Sequence, residues 1–289
     1  MSERMLIIGP GRVGLSMGYA LWKVEALSGL VYCGRNPDPP PHPLFIEGHA
    51  RYVFGLQRPE PGTTAVLLAV PDQILPEISM ALAALGEAPA GCAAFHLSGA
   101  LGTDPLAPLL EAGYGIGTLH PLQALADPVI GADQLMGVYF AVSGEPAALS
   151  AARRIISPLG GSAMTVPVAQ RPLYHAAAVF ASNYLAGLVG AAGRLMAQAG
   201  VPEDEALQAI LPLARGSLEN LGRLAPAQAL TGPVSRGDVE TVRLHLRSLE
   251  PRERALYASM GLEILVLAEE GGLDEMSAEE LREIFAREL

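Results

Sequence analysis

Residues 5–14 read Met5-Leu6-Ile7-Ile8-Gly9-Pro10-Gly11-Arg12-Val13-Gly14, and this stretch decides the fold. Its four apolar residues predict a short buried strand, and the G-x-G-x-x-G spacing predicts a tight turn that opens a helix. We expect Gly9 to turn the chain, Gly11 to let the backbone approach a pyrophosphate, and Gly14 to let the helix pack against the strand. Free N–H groups at that helix start favour phosphates, so the stretch predicts a dinucleotide site. An ordinary glycine-rich turn is the alternative.

Composition limits the class of protein. The 289 residues are enough for two domains, and half of them are apolar, which predicts a large core. The net charge of −11 argues against a nucleic-acid partner, because a phosphate-binding surface needs clustered Lys and Arg. The two cysteines, Cys33 and Cys92, have no metal-ligand spacing and are expected to be reduced thiols of a cytoplasmic protein. No paired spacing supports a zinc site from His96, His120 and His175, so we expect no metal.

Two apolar segments raise the question of a membrane. The first apolar run is too short for a signal peptide and is interrupted by the glycines, so we expect no such peptide. Residues 176–193 approach the length of a membrane span but are rich in Ala and Gly. We interpret this segment as a helix buried between packed helices, and we expect no membrane partner.

Strands and helices alternate in the first part of the chain. The predicted strands are 5–8, 29–33, 65–70, 93–97, 115–119, 138–142 and 163–166. The segments between them have helical composition, as in 12–27, 74–85 and 147–157. This alternation predicts an α/β Rossmann domain with a doubly wound, mostly parallel sheet over residues 1–166.

The second part of the chain reads as helix throughout. The predicted helices are 173–199, 203–221, 238–249, 251–271 and 277–287, with Asp238 and Ser277 as N-caps. Residues 167–289 are therefore predicted to form an all-helical domain for substrate binding and dimerisation.

Ligands of open α/β sheets bind beyond the carboxyl ends of the strands. The second predicted strand is followed by Gly34 and Arg35, with no acid before Asp38 to hold a ribose 2′-hydroxyl. A guanidinium can pair with a 2′-phosphate, so Arg35 predicts NADP (NADPH) rather than NAD. A solvated surface arginine is the alternative, and a deazaflavin stays open as the cofactor. The predicted cofactor-binding residues are Gly9, Pro10, Gly11, Arg12, Val13, Gly14, Arg35, Asn36, Val70, Pro71, Asp72 and Ser98.

Hydride transfer to a carbonyl or imine usually needs a proton donor. Lys23 is the only lysine, and it lies late in the first helix, about 13 Å along the axis from Gly14 at ~1.5 Å per residue. A lysine acid is thereby excluded, which leaves histidine, tyrosine or a water. His120 follows a predicted strand, and His175 opens the first helix of the second domain, with Asn183 two turns further on. His42, beside a proline-rich loop, is expected to be exposed.

The loop at residues 231–238 is the second informative patch, because it is rich in turn residues yet carries Arg236. Arg236 could hold a substrate carboxylate. Alternatively, Asp238 only caps the next helix and Arg236 is solvated. The candidate catalytic residues are therefore His175, Ser98, His120, Asn183 and Arg236.

Several motifs occur together in order: Gly9–Gly18, Val70-Pro71-Asp72, His96-Leu97-Ser98-Gly99-Ala100, His120-Pro121-Leu122-Gln123, Tyr174-His175-Ala176-Ala177-Ala178 and Leu230–Asp238. With them the chain resembles Rossmann-like oxidoreductases whose C-terminal half is a domain of unknown function. These are similar to pyrroline-carboxylate reductase, ketopantoate reductase and the 6-phosphogluconate dehydrogenase superfamily. The resemblance implies an NADP-binding domain and a 6-phosphogluconate dehydrogenase C-terminal-like helical domain that forms a homodimer.

The resemblance also bears on the chemistry. In the β-hydroxyacid dehydrogenase branch a Ser-Gly pair touches substrate, and Ser98-Gly99 match that pair. The branch also uses a Lys-x-x-x-Asn pair, from which this chain departs, because His175 stands in that region and Val179 follows four residues on. We therefore expect an NADP-dependent oxidoreductase for a small polar carbonyl, hydroxyl or imine compound, with His175 as acid–base residue. A non-catalytic NADP-binding sensor or interaction protein is the alternative.

Overall fold

A computed structural model describes residues 2–289, which form two compact units. One unit ends at Ser182, and the other is Asn183–Leu289. The domain boundary predicted at residues 166 and 167 precedes the last helix of the first unit. That helix therefore packs with the sheet.

The first unit is built on one eight-stranded sheet. Its strands are β1 (Glu3–Ile8), β2 (Leu27–Gly34), β3 (Arg51–Phe54), β4 (Ala65–Leu68), β5 (Ala93–His96), β6 (Gly115–Pro121), β7 (Tyr139–Gly144) and β8 (Ser162–Thr165). The strand order is β3-β2-β1-β4-β5-β6-β7-β8, and only the β6–β7 pair is antiparallel. The predicted Rossmann class with a mostly parallel sheet is confirmed.

Helices cover the sheet, and each face has its own apolar core. The helices are α1 (Arg12–Lys23), α2 (Pro43–Ile46), α3 (Leu75–Ala83), α4 (Ala107–Glu111), α5 (Pro128–Gln134), α6 (Pro146–Ile156) and α7 (Arg171–Val179). Alternate residues of β1 serve the two cores: Met5 and Ile7 face one, and Leu6 and Ile8 face the other. Burial on both faces explains why the strand reads as a continuous apolar run.

Several boundaries differ from the predicted ones. The first helix ends at Lys23 rather than at residue 27, because Glu25 adopts a left-handed φ of 55° and redirects the chain into β2. The edge strand β3 was missed, since it is short and only half-buried. His42 is buried rather than exposed, because its Nδ1 accepts a hydrogen bond from the Leu44 N–H and caps α2. Strand β6 continues through His120, which therefore lies in the strand rather than after it.

The second unit is helical, as predicted. It contains α8 (Leu185–Gln198), α9 (Glu203–Leu221), α10 (Pro226–Ala229), α11 (Val239–Ser248), α12 (Pro251–Glu270) and α13 (Glu275–Ala286). Asp238 caps α11 by accepting from the Thr241 N–H, as expected. The Ser277 cap is wrong: Asp274 caps α13 by accepting from the Ser277 N–H, so the helix begins two residues earlier.

The long apolar segment differs most from its prediction. The predicted helix 173–199 is observed as α7, a π-helical turn at Phe180–Tyr184, and α8. By length and composition, Val168–Gln198 is the one helix among the described residues that could cross a membrane. Only 6% of its apolar window is buried, so the interpretation as a helix buried between packed helices is wrong for the single chain. Apolar side chains such as Leu173, 69% exposed, lack cover within one copy.

Candidate functional site

The glycine loop has the geometry that its spacing predicts. Gly9 has a φ of 102°, and a Cβ there would overlap the Ala69 carbonyl group. A Cβ on Gly14 would overlap the Gly9 carbonyl oxygen and press on Ile7, so α1 packs tightly against β1. Gly11 caps α1 with open space around it and no side-chain bond to the first N–H groups. Those N–H groups are thus free to bind an anion.

A cavity of about 530 Å³ opens beside this loop. The predicted cofactor residues that line it are Gly9, Pro10, Gly11, Arg35, Asn36, Val70 and Pro71. The other predicted cofactor residues, Arg12, Val13, Gly14, Asp72 and Ser98, are not among its lining residues. Sequence reasoning missed Tyr52, which lies on β3 and donates a 2.5 Å hydrogen bond to the Asn36 carbonyl oxygen. It was missed because β3 itself was not predicted.

Charge at the cavity suits a phosphorylated ligand. Arg35 is exposed, lines the cavity, and makes no hydrogen bond or ion pair with any described residue. No Asp or Glu is among the lining residues within the described chain. A free guanidinium and free helix N–H groups on one cavity fit the phosphates of a dinucleotide that carries a 2′-phosphate.

A second cluster of polar side chains lies where α7 meets β6. Arg171, Tyr174 and His175 are spaced i, i+3 and i+4, so they share one face of α7. Tyr174 Oη lies 2.8 Å from His120 Nδ1. The ring centroids of His120 and His175 are 6.0 Å apart. The two histidines that the sequence nominated are therefore neighbours, although 55 residues separate them.

Both histidines pack against Gly99. A Cβ at Gly99 would lie 2.7 Å from His175 Nδ1 and 2.8 Å from His120 Nε2. His175 Nδ1 is buried and has no hydrogen-bond partner among the described residues. The absence of a side chain at Gly99 thus lets both imidazole rings pack against this glycine.

The loop that carries Gly99 is fixed by His96 and Ser98. His96 is fully buried; its Nδ1 accepts from the Ser98 N–H at 3.2 Å, and its Nε2 donates to the Gly102 carbonyl oxygen at 2.6 Å. The Ser98 hydroxyl donates to Asp72 Oδ2 at 2.7 Å and accepts from the N–H groups of Ala100 and Leu101. Ser98, nominated as a substrate-orienting residue, already uses its proton to hold this loop.

Arg171 is a second residue of the site that was not predicted from the sequence. It is fully buried, and its guanidinium donates to Thr118 Oγ1, to Ser143 Oγ at 3.1 Å and to the Ser98 carbonyl oxygen at 3.5 Å. None of the ion pairs among residues 2–289 involves Arg171. The Arg171 Nε is buried and has no hydrogen-bond partner among the described residues. A buried charge is costly unless it is bonded, so the oxygens that accept from the two terminal nitrogens hold α7 in position.

Burial and positive neighbours keep the histidines neutral. Burial, then the nearby His175 and Arg171, lowers the pKa of His120 to about 4, while Asp72 acts weakly in the opposite direction. Burial also lowers the pKa of His96. Both side chains are therefore neutral imidazoles at pH 7, and each carries one ring proton.

The remaining candidates lie in the second unit. Asn183 belongs to the π-helical turn, and Arg236 ends a short turn that Gly237 closes at a φ of 66°. Within the described chain, no group of three His, Cys, Asp or Glu side chains could hold a metal ion.

The lowered pKa of His120 predicts a pH-dependent stability. Unfolded His120 takes up a proton near pH 6.5, whereas folded His120 does so only near pH 4, so acidification favours the unfolded chain. The free energy of unfolding should fall by about 2 kcal/mol more in the wild type than in His120→Gln between pH 6.5 and 4, after allowance for partial exposure. Urea denaturation at both pH values measures this. His245→Gln, which removes an exposed histidine elsewhere, is the control, and an equal pH loss in His120→Gln would refute the assignment.

Comparison with known proteins gives two domain matches. Residues 138–264 match the family model of DUF2520, a domain of unknown function, and residues 55–121 match a Rossmann-like domain. A search of curated proteins finds no match to the chain.

Solved structures share the fold over nearly the whole chain. A candidate NADP oxidoreductase from Bacteroides fragilis is 21% identical, with a TM-score of 0.71 over 90% of this chain and 96% of that one. A Thermotoga maritima protein is 22% identical, with a TM-score of 0.67 over 92% and 98% of the two chains. Pyrroline carboxylate reductase from Plasmodium falciparum, solved with NADP bound, is 12% identical, with a TM-score of 0.62 over 98% of each chain. The chain therefore combines a Rossmann-like domain with a DUF2520 domain in the fold that these proteins share.

Proposed function

We propose that this protein is an NADP-dependent oxidoreductase that transfers hydride between the nicotinamide and a small polar carbonyl, hydroxyl or imine compound. The observation that carries the proposal is that His120 Nε2 and His175 Nδ1 lie together against Gly99, in the loop that follows β5. Reduction of a polar double bond needs a proton donor at the reacting atom, and a histidine nitrogen without a protein partner suits that role.

A short chain of residues links the proposed cofactor cavity to the histidines. Pro71 lines the cavity beside the glycine loop, and the next residue, Asp72, accepts the hydroxyl proton of Ser98. Ser98 in turn precedes Gly99. A dinucleotide that lies along the cavity would therefore bring its far end toward the histidine pair, as expected at the carboxyl ends of parallel strands.

NADPH is the proposed cofactor because of the free Arg35 and the free N–H groups of α1. The Plasmodium falciparum reductase with NADP bound has the same fold and supports this choice. When bound, the reduced nicotinamide supplies the hydride. His175 is proposed to hold and transfer the proton, and His120 to orient the substrate. Asn183 and Arg236 stay proposed substrate-orienting residues on the strength of their sequence positions.

Replacing Arg35 tests the cofactor. Arg35→Ala should raise the KM for NADPH about 10- to 100-fold and leave the KM for NADH unchanged, because one charge-assisted bond to the 2′-phosphate is lost. Arg153→Ala is the matched control, since Arg153 is an exposed arginine of α6 that does not line the cavity. Steady-state kinetics with both cofactors give the ratio. An unchanged ratio in Arg35→Ala would rule out this role.

Replacing His175 tests the chemistry. With NADPH and a panel of aldehydes, keto acids and cyclic imines, His175→Ala should lower kcat by about 10²- to 10⁴-fold, the usual contribution of an acid–base group. The NADPH dissociation constant should stay within about twofold, and His245→Ala serves as control. Normal turnover with lost NADPH binding would contradict the role. Tight NADPH binding by a wild type that turns over no substrate would favour the non-catalytic sensor.

We also propose that the protein is a cytoplasmic homodimer assembled through its C-terminal helices. Exposed apolar side chains are concentrated on the helix Val168–Gln198 and on α9 and the turn after it. They are Val168, Leu173, Phe180, Tyr184, Leu207, Leu211, Leu213, Leu218, Leu221 and Leu224. A second copy would remove this surface from water, which is the main stabilising contribution in obligate homodimers.

Sedimentation equilibrium tests the dimer. The wild type should sediment at twice the chain mass of 30.2 kDa. Leu213→Glu should raise the dimer dissociation constant at least 100-fold, since a carboxylate loses several kcal/mol of hydration on burial. Met276→Glu is the control, because Met276 is an apolar residue on α13 that is even more exposed than Leu213. A monomeric wild type, or one that partitions into lipid vesicles, would contradict the proposal.

A further inference from the structure

We propose that the second unit carries a binding site for a small organic phosphate ester, in addition to the proposed cofactor cavity. The site is a cavity of about 320 Å³ lined by residues of α11, α12 and α13 and by the two residues that follow α13. All of its lining residues belong to the second unit, so the site does not depend on the proposed oxidoreductase function.

Positive charge is concentrated around this cavity, although the whole chain has a net charge of −11. Arg243, Arg247, Arg254 and Arg287 line it, and Glu288 is the one acid among its lining residues within the described chain. The lining therefore carries a net of three positive charges. A concave surface with charge of one sign attracts ligands of the opposite sign, so an anion is the expected occupant.

The guanidinium groups keep donors for such a ligand. Arg247 is exposed and makes no hydrogen bond or ion pair with any described residue. Arg243 and Arg287 form ion pairs with glutamates that do not line the cavity, namely Glu240 and Glu280 for Arg243 and Glu283 for Arg287. Each guanidinium has five N–H donors, so these pairs leave others for an anion in the cavity.

Compensation of helix dipoles does not explain the whole cluster. Arg247 in the last turn of α11 and Arg287 just after α13 lie at negative helix ends, where a cation is favourable without a ligand. Arg254 lies in the first turn of α12, at the positive end. It donates to the Leu249 carbonyl oxygen at 2.8 Å, but its ion pair with Glu288 is 3.8 Å long and its buried Nε has no hydrogen-bond partner among the described residues. An anion in the cavity would stabilise a cation at this unfavourable place.

A phosphate ester suits these cations better than a carboxylate does. At pH 7 a phosphate monoester carries about −1.5 to −2 charges and has three strong acceptor oxygens. A carboxylate carries one charge and has two oxygens. Arginines contributed by three helices therefore match the charge and the acceptors of a phosphate group, which guanidinium forks bind in pairs of hydrogen bonds.

The cavity also has an apolar part. Leu246 and Ile284 line it, and only 4% and 8% of their surfaces are exposed. Its volume of about 320 Å³ lies at the lower end of the range for small-molecule sites, about 300–1,000 Å³. A bare phosphate ion would use the cations but leave the two apolar side chains uncovered, so the site suits a small organic ester.

Isothermal titration calorimetry of the full chain with phenyl phosphate, inorganic phosphate and benzoate tests the ligand class. We expect phenyl phosphate to bind at least 10-fold more tightly than either of the other two probes. Equal affinity for inorganic phosphate would contradict an organic ester, and equal affinity for benzoate would contradict a phosphate group. Absence of phenyl phosphate binding would overturn the site.

Variants assign the binding to this cavity. Arg247→Ala should weaken phenyl phosphate binding about 10- to 100-fold, because one charge-assisted hydrogen bond is lost. Glu288→Gln should strengthen it about fivefold, since the one negative charge of the lining is removed. A variant that fails to fold cannot bind more tightly, so this gain keeps the test decisive. Arg252→Ala is the matched control, because Arg252 is an exposed arginine of α12 that does not line the cavity, and its affinity should equal that of the wild type.

Arg35→Ala separates this site from the proposed cofactor cavity. Phenyl phosphate binding should be unchanged in Arg35→Ala and weakened in Arg247→Ala. The reverse pattern would place the probe in the cofactor cavity, which would overturn the arginine site and leave the proposed function intact. Loss of NADPH binding with the expected response to Arg247→Ala would count against the proposed function alone.

Discussion

The burial of Arg171 is the constraint on which the site depends. A guanidinium enclosed by protein without a carboxylate partner depends on neutral oxygens, and Thr118, Ser143 and the Ser98 carbonyl group accept from its two terminal nitrogens, while its Nε has no partner among the described residues. These oxygens come from β6, β7 and the loop after β5, so Arg171 ties α7 to three parts of the sheet. Because Tyr174 and His175 follow at i+3 and i+4, the same anchor sets both of them against His120.

Glycines allow close packing both beside the cofactor cavity and beside the histidine pair. At the cofactor end, Gly9 and Gly14 allow a turn and a close helix that no other residue would permit. At the other end, Gly99 lets two imidazole rings pack closely against its backbone. Asp72 connects the two ends, because it follows the cavity wall in sequence and bonds to Ser98 beside Gly99. The cavity wall and the loop that carries Gly99 are thus linked by the hydrogen bond between Ser98 and Asp72.

Local patterns predicted much of this molecule. The glycine spacing, the apolar strands and the switch to continuous helix are properties of short segments, and the Rossmann sheet and the helical second unit follow from them. Arg35 could likewise be placed on the cofactor cavity, because its position after a strand end decides where it lies. The residues nominated as a site, His120 and His175, were found separately, one by its strand and one by its helix.

The pairings between distant residues could not be predicted in the same way. Arg171 meets Thr118, and Tyr174 meets His120, only after α7 packs on the sheet, and no local spacing announces either contact. The strand β3 was missed for a related reason, since four half-buried residues carry little periodic signal. The exposure of the helix Val168–Gln198 depends on what covers it, which composition alone does not state.

A crystal structure of the protein with NADPH tests the central claim most directly. The account predicts the pyrophosphate at the N-terminus of α1, the 2′-phosphate on Arg35, and the nicotinamide ring facing Gly99. The hydride carbon should then lie within about 3.5 Å of a position that both His120 Nε2 and His175 Nδ1 can reach. A nicotinamide ring directed away from this histidine pair, or no NADPH at the glycine loop, would contradict it.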